Sequence, residues 1–118
     1  MGRFEDLEVW KESMALCRNL YYSLKDSKDW FLRDQINRAC LSIPSNIAEG
    51  QERDSKKEFI RFLHIAKASC AELRTQIYFA TGVGIISMDK KNEFINDTQK
   101  ISAMLVNLIK AIKKADNG

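Results

Sequence analysis

Proline and glycine are scarce in this sequence, which has one proline and five glycines in 118 residues. Hydrophobic residues make up 45% of the chain and charged residues 30%, so the composition is that of a folded, helix-rich protein and excludes a disordered or collagen-like chain. No stretch sustains an alternation of apolar and polar residues, which argues against β-strands. A chain of this length is expected to form one domain, spanning residues 1–118.

Long apolar runs are also missing. The longest nearly apolar stretch, FATGVGIISM, is about half as long as the roughly 20 residues that cross a bilayer, so no membrane helix is expected. The N-terminal segment MGRFEDLEVW has no apolar signal-peptide core, and Asp6 stands where a myristoylation signal needs Ser or Thr. We therefore expect a cytoplasmic protein.

Cysteine and histidine are too few for the common disulfide and metal scaffolds. Cys17, Cys40 and Cys70 are odd in number and include no Cys-x-x-Cys pair, and all three fall on apolar helical stripes, where small buried residues are expected. His64 is the only histidine, with Arg61 three residues before it, whereas a di-iron bundle needs a Glu-x-x-His pair on each of two helices. No metal, cofactor or catalytic residue is predicted, and we expect the protein not to be an enzyme.

Four segments repeat apolar residues at spacings of three and four, the pattern of packed helices. The first stripe consists of Leu7, Trp10, Met14, Cys17, Tyr21 and Leu24. The second consists of Leu32, Ile36, Cys40, Ile43 and Ile47. The third consists of Phe59, Leu63, Ala66, Cys70, Leu73, Ile77 and Ala80, and the fourth of Phe94, Thr98, Ile101, Leu105, Leu108, Ile112 and Ala115. Because the linkers between them are short, the sequence predicts an all-α fold, an up-down four-helix bundle.

Polar residues and glycines mark the ends of these segments. Ser55 followed by Glu58 is a capping box that begins the third helix: the hydroxyl accepts from the Glu58 amide, and the carboxylate reciprocates. Gly82 and Gly84 can adopt the left-handed conformation that ends this helix. The other end signals are Asp26–Asp29 after the first helix, Ser87 or Asp89 before the fourth, and Asn117-Gly118.

Pro44, the only proline, lies within the second segment. Inside a helix it removes one amide donor and clashes with the carbonyl four residues back, that of Cys40. The apolar register continues through the proline without a slip, which favours one long second helix kinked near Pro44, with Ser42 or Ser45 bonding to the freed backbone. The alternative is two short helices, the second with Pro44 in its first turn.

Cations concentrate on the side of the third helix that lies away from its apolar stripe. Spaced about one helical turn apart, roughly 5 Å, they can follow a phosphate backbone. Including neighbouring cations, nucleic-acid contacts are predicted at Arg38, Arg53, Lys56, Lys57, Arg61, His64, Lys67 and Arg74. Further positive charge is supplied by Arg33, Lys110, Lys113 and Lys114. A solvated helix face is the alternative, and since no base-reading motif is present, any binding of RNA or DNA is expected to be electrostatic.

Large apolar residues outside the four stripes are too numerous for one narrow core. They are Val9, Leu16, Leu20, Tyr22, Trp30, Phe31, Phe62, Ile65, Phe79, Ile86, Ile95, Met104 and Ile109. Some widen the core, and the others indicate helix faces buried against another subunit. We therefore expect a homo-oligomer. The alternative is an interaction module that presents a surface to a protein partner.

Two stretches, FEDLEVWKESMAL and DQINRACLSIPSNIAEGQERDSKKEFIRFLHIAKASCAELRTQI, resemble the four-helix-bundle proteins encoded by intervening sequences in bacterial 23S ribosomal RNA genes. SIPSNIAEG, followed by an arginine and EFIRFL, is the most specific part. The resemblance covers nearly the whole chain and implies a ring-shaped homopentamer without assigned catalytic residues. It also implies kinship with the accessory protein of diversity-generating retroelements, a basic pentamer that binds nucleic acid and a reverse transcriptase.

This sequence departs from the family pattern at two positions. Asn37 stands where many relatives have a second basic residue beside Arg38, which weakens one positive spot. Ala68 stands where glycine is common, so a close backbone approach there is expected to be looser. Neither change affects the predicted fold.

Overall fold

The computed structural model describes the backbone of residues 2–117 and the side chains of residues 2–115. A short 3-10 turn, Phe4–Asp6, precedes four helices: α1 Glu8–Leu24, α2 Trp30–Gln51, α3 Lys56–Gly82 and α4 Met88–Asn117. No strand occurs within this range, and the predicted all-α four-helix fold is confirmed. Met1 and Gly118, the predicted limits of the domain, lie outside the described residues, as does the predicted end signal at Gly118.

The four helices form an up-down bundle. Each helix packs against its neighbours along the chain, most extensively α2 against α3, and α4 also returns to α1. Within the described range α1 does not approach α3, nor α2 approach α4, so these pairs occupy diagonal corners. The molecule measures 50 × 20 × 19 Å. The α1–α2 and α3–α4 connections therefore lie at one end of a rod, and the α2–α3 connection at the other.

The predicted cap of α3 is confirmed at its serine. Ser55 Oγ accepts from the Glu58 amide at 3.0 Å, which satisfies one of the amides left free at a helix start. The Glu58 carboxylate, predicted to return to the Ser55 amide, is instead held by Arg61, whose guanidinium donates to both of its oxygens at 2.9 and 3.1 Å. Arg61, one turn further along the helix, thus takes the place of the Ser55 amide as the partner of the Glu58 carboxylate.

The connection between α3 and α4 uses two of the expected signals. Gly84 has φ +81°, the left-handed conformation that favours glycine. Gly82 stays within α3, so the left-handed position predicted for either glycine falls at the second. Ser87 Oγ accepts from the Lys90 amide at 3.2 Å and begins α4.

Helix α2 passes through Pro44 without interruption, so the alternative of two short helices is wrong. Around the proline, side chains supply additional hydrogen bonds to the backbone. The Ser42 hydroxyl donates to the Ala39 carbonyl at 2.8 Å, and Asn46 Nδ2 donates to the Ser42 carbonyl at 2.7 Å. The bend near Pro44 stays a prediction.

One hydrophobic core runs along the inside of the bundle. Every residue of the stripes predicted for α2 and α3 is buried. The stripe of α4 is buried from Phe94 to Leu105, whereas Leu108 and Ile112 lie at the core edge and Ala115 is exposed. Seven large apolar residues outside the stripes are also buried and widen the core: Val9, Leu16, Leu20, Phe62, Ile86, Ile95 and Ile109. None of the described helices has the length and apolar character needed to cross a membrane.

The stripe predicted for α1 is confirmed only in part. Cys17 and Leu24 are buried, and Leu7 and Trp10 pack against the core. The buried positions of this helix are Val9, Ser13, Leu16, Cys17, Leu20 and Leu24. Tyr21, placed in the predicted stripe, is 55% exposed, and a tyrosine ring with its polar hydroxyl is readily accommodated at a surface. Ser13 enters the core because its hydroxyl donates to the Trp10 carbonyl at 2.9 Å and so keeps a partner there.

Candidate nucleic-acid interface

Helix α3 presents a row of cations because its apolar stripe fills the opposite face. On α3, Lys57, Arg61, His64 and Lys67 are exposed, and Arg74 is half-buried. The row is not one uniform surface, because the neighbours of α3 differ on its two sides. Part of it faces α4, and part lies at the corner with α2.

On the α4 side, cations from two helices line a shared depression. One cavity of about 360 Å³ is lined by His64, Lys67 and Arg74 of α3 and by Ser102 of α4. Arg74 Nη1 donates to Ser102 Oγ at 3.2 Å and fixes that cation against α4. Ala68 lies exposed on the wall of the same cavity.

A second cavity adjoins the first along the two helices. It has a volume of about 200 Å³, and His64 and Lys67 line it together with Lys110 and Lys113 of α4. Among the described residues, neither cavity is lined by an aspartate or glutamate. We call the surface formed by His64, Lys67, Arg74, Lys110 and Lys113 the basic groove. The positive charge of these described residues faces solvent, which suits a polyanion.

The corner between α2 and α3 holds two further predicted residues in a different setting. The guanidiniums of Arg53 and Arg61 lie over the Phe62 ring, 4.9 and 4.6 Å from its centroid. Each also pairs with a carboxylate, Arg53 with Glu49 at 3.2 Å and Arg61 with Glu58 at 2.9 Å. We call Arg53, Arg61, Glu49 and Glu58 the ion-paired corner.

The ion pair between Arg61 and Glu58 changes the pKa of both groups. The hydrogen bond from Arg61 holds the pKa of Glu58 below its usual value, and the same bond raises the pKa of Arg61. Both groups therefore remain charged at neutral pH, and their charges largely offset one another. A phosphate at this corner would have to compete with the carboxylates for the two arginines.

The three remaining predicted residues are not among those that line the basic groove. Arg38 is on the exposed face of α2, where its Nη2 donates to Gln35 Oε1 at 2.9 Å. Because α2 and α4 occupy diagonal corners, Arg38 does not join the groove. Lys56 and Lys57 lie exposed in the first turn of α3, at the end of the rod that holds the α2–α3 connection.

Two residues of the groove were not assigned to the site from the sequence. Lys110 and Lys113 were recognised only as part of a basic chain end. A spacing of three places them on one side of α4, but the sequence does not say that this side meets His64 and Lys67. The packing of α4 against α3 decides it.

The other end of the rod has a contrasting surface. Six large apolar residues are exposed around the α1–α2 and α3–α4 connections: Trp30, Phe31, Tyr78, Phe79, Val83 and Met88. Phe31 is 75% exposed and Phe79 61%. We call this surface the aromatic end. Isolated exposed apolar residues are common, but a group of this size marks an interaction surface.

Among the described side chains, no three His, Cys, Asp or Glu residues gather in an arrangement that would hold a metal ion. The two surface features available for binding are therefore the basic groove and the aromatic end. These features define an all-helical, up-down bundle protein with two distinct surfaces.

Comparison with known proteins places this bundle in a family. The family model described as 23S rRNA-intervening sequence protein matches residues 5–107, and the chain belongs to this family. A crystal structure from Bacteroides thetaiotaomicron VPI-5482, of a protein with unknown function from the S23 ribosomal protein family, is 27% identical, with a TM-score of 0.79 over 86% of this chain and 98% of that one. No curated protein matches. The kinship with the retroelement accessory protein stays a prediction.

Proposed function

We propose that this protein is a non-enzymatic nucleic-acid-binding protein that holds the backbone of RNA or DNA in the basic groove. The observation that supports this is the pair of adjoining cavities, which cations of α3 and α4 line and which no acidic residue lines among the described side chains. Cations that replace the counterions of a polyanion supply most of the affinity of non-specific nucleic-acid binding. The net charge of +3 is modest, so the local arrangement matters more than the total.

Little sequence specificity is expected of this groove. Base readout without a recognition helix in a groove of the nucleic acid needs aromatic side chains on which bases stack. Among the described residues, the groove linings contain no Phe, Tyr or Trp. The first residue of the aromatic end on α3, Tyr78, lies one helical turn beyond Arg74. Contacts to phosphate position the ligand without reading its sequence.

The test is a salt titration of binding to labelled RNA and DNA of mixed sequence, followed by fluorescence anisotropy. Affinity is expected to fall linearly in a plot of log K against log salt concentration. Neutralising Lys67 and Lys110 together, as Lys67→Gln with Lys110→Gln, should lower affinity for all sequences alike. The slope of the plot should also become shallower by about one for each phosphate that the variant no longer neutralises.

A matched control comes from the ion-paired corner. The double variant Arg53→Gln with Arg61→Gln removes the same formal charge, but from cations that Glu49 and Glu58 already offset. It should weaken binding less than the groove variant. Equal losses of affinity in the two variants would contradict binding in the groove, and absence of binding at low salt would refute the proposal. Circular dichroism checks that both variants keep their helices.

We further propose that the protein forms a homo-oligomer, a pentamer as the family resemblance implies, in which the aromatic end is buried. The support is the group of six large apolar residues exposed there. Light scattering at micromolar concentration should give a mass several times the 13.6 kDa of one chain. A mass of one chain would refute it. A cytoplasmic location is part of the same proposal.

A second candidate function rests on the same exposed apolar group. If the aromatic end contacts a different protein, the molecule is an interaction module and nucleic-acid binding is absent. A reverse transcriptase is the partner suggested by the predicted kinship. Size-exclusion chromatography with a purified reverse transcriptase distinguishes the two candidate functions. Co-elution of the two proteins, without nucleic-acid affinity at low salt, favours the interaction module.

A further inference from the structure

We infer that Cys17 and Cys40 are a modification site, a dithiol that a peroxide converts reversibly into an intramolecular disulfide joining α1 to α2. The pair lies in the core between the two helices, separate from the basic groove and the aromatic end. The proposed function does not use these residues, and this inference does not depend on it.

The two sulfur atoms are already in contact. Cys17 Sγ donates to Cys40 Sγ across 3.1 Å, closer than the roughly 3.5–4.0 Å at which non-bonded carbon atoms pack, although sulfur is the larger atom. A disulfide brings the sulfurs to about 2.05 Å, so its formation requires a further approach of about 1 Å. Both side chains are buried, at 8% and 1% exposure, and both thiols are free.

Solvent reaches only one member of the pair through a cavity. A cavity of about 360 Å³ opens between α1 and α2, and its lining includes Met14, Cys17, Arg18 and Leu41. Cys40 is not among the lining residues and lies behind Cys17. A small oxidant such as hydrogen peroxide therefore meets Cys17 first.

The reaction balances in two steps. The Cys17 sulfur attacks one oxygen of the peroxide, its thiol proton leaves with the other oxygen as water, and Cys17 becomes a sulfenic acid. The Cys40 sulfur then attacks the Cys17 sulfur and displaces hydroxide, which takes the Cys40 proton and leaves as a second water. Two thiols lose two electrons, the peroxide gains them, and a dithiol reductant reverses the change.

The order of the two thiols follows from their surroundings. The hydrogen bond shared with Cys17 and burial both raise the pKa of Cys40, so Cys40 is held as a thiol and Cys17, which lines the cavity, reacts first. Protection by the core also limits over-oxidation, because the second thiol is in contact before further peroxide can enter.

Cys70 provides a matched control within the same core. It lies on α3 with no exposed surface, and burial raises its pKa. It lines no described cavity that reaches Cys17, and the 3.1 Å contact joins the other two sulfurs. Oxidation should therefore leave Cys70 as a thiol.

The experiment treats the folded protein with hydrogen peroxide, removes the peroxide, unfolds the protein and alkylates its thiols before mass spectrometry. The wild-type protein should fall from three alkylated cysteines to one, and the mapped peptides should join Cys17 to Cys40. Cys70→Ala should fall from two to none. Cys17→Ala and Cys40→Ala should form no intramolecular disulfide. The oxidised wild-type protein should melt at a higher temperature than the reduced one, because the link constrains the unfolded chain.

Several results would overturn the inference. These are three alkylated cysteines after treatment of the folded protein, a disulfide that includes Cys70, or links only between chains on a non-reducing gel. If Cys17→Ala or Cys40→Ala fails to fold, the peptide map of the wild type and of Cys70→Ala still decides. A negative result for the disulfide would not affect the proposal of nucleic-acid binding, because the groove variants that test that proposal leave all three cysteines unchanged.

Discussion

Gly50 lies in the last turn of α2, where that helix approaches α3 most closely. A methyl group built on Gly50 would lie 2.5 Å from Phe62 Cβ and 3.2 Å from Phe59 Cδ1. No side chain fits into that space without movement of α3. The glycine of the SIPSNIAEG segment is thus a packing requirement for the corner that begins the cationic helix.

We predict that Gly50→Ala lowers the free energy of unfolding by about 1–2 kcal/mol. Overpacking costs about 1–3 kcal/mol, and the better helix propensity of alanine returns up to about 1 kcal/mol. Urea denaturation measures the difference. Gly82→Ala is the control, because a methyl group there meets no atom within 4 Å, and it should be neutral or slightly stabilising. A Gly50→Ala protein as stable as the wild type would contradict the close approach.

At the scale of the element, α3 depends on its first turn. Ser55 Oγ accepts from the Glu58 amide, and Glu58 is committed to Arg61, so the serine is the side chain that caps the helix. The two contacts hold the first turn of the helix from which the basic groove is built.

We predict that Ser55→Ala destabilises the protein by about 1 kcal/mol, the usual cost of losing a serine cap. Thermal unfolding followed by circular dichroism measures it. Ser45→Ala serves as the control, since Ser45 is exposed within α2 and alanine has the higher helix propensity. Comparable destabilisation by both substitutions would show that the hydroxyl of Ser55 has no special role.

At the scale of the whole molecule, the basic groove and the aromatic end occupy different stretches of the 50 Å rod. The basic groove runs along α3 and α4. The ion-paired corner and the first turn of α3 lie at the end of the rod that holds the α2–α3 connection. The aromatic end occupies the opposite end. This separation allows one surface to join subunits while another binds a polyanion.

We predict that Phe31→Asp with Phe79→Asp yields a folded, monomeric protein, because two carboxylates cannot be buried unpaired in an apolar interface. Light scattering gives the mass, and circular dichroism the helix content. Leu41→Asp is the control: Leu41 is half-exposed on α2 but outside the aromatic end, so the oligomer should persist. A wild-type mass for the double variant would place the subunit contact elsewhere.

The apolar stripes show most clearly which buried positions the sequence predicts and which positions the packing of the helices decides. Every residue of the stripes predicted for α2 and α3 is buried, because apolar residues repeat there at one uninterrupted helical spacing, although Ala39 and Phe62 join the core from outside the stripes. In α1 two apolar stripes compete. The packing against α2 and α4 buries Leu16 and Leu20 and leaves Tyr21 outside.

The sequence by itself determined four helices, the cap at Ser55, continuity of the core register through Pro44 and the presence of cations on α3. These features depend on neighbours three or four residues away, which the sequence displays directly. Only the tertiary structure decided which cations act together. Lys110 joins His64 because α4 packs on α3, whereas the pairing of Arg61 with Glu58 is a contact between neighbours three residues apart on α3, which the sequence already displays. Charge at a surface depends on contacts between elements, and those contacts exist only once the helices have packed.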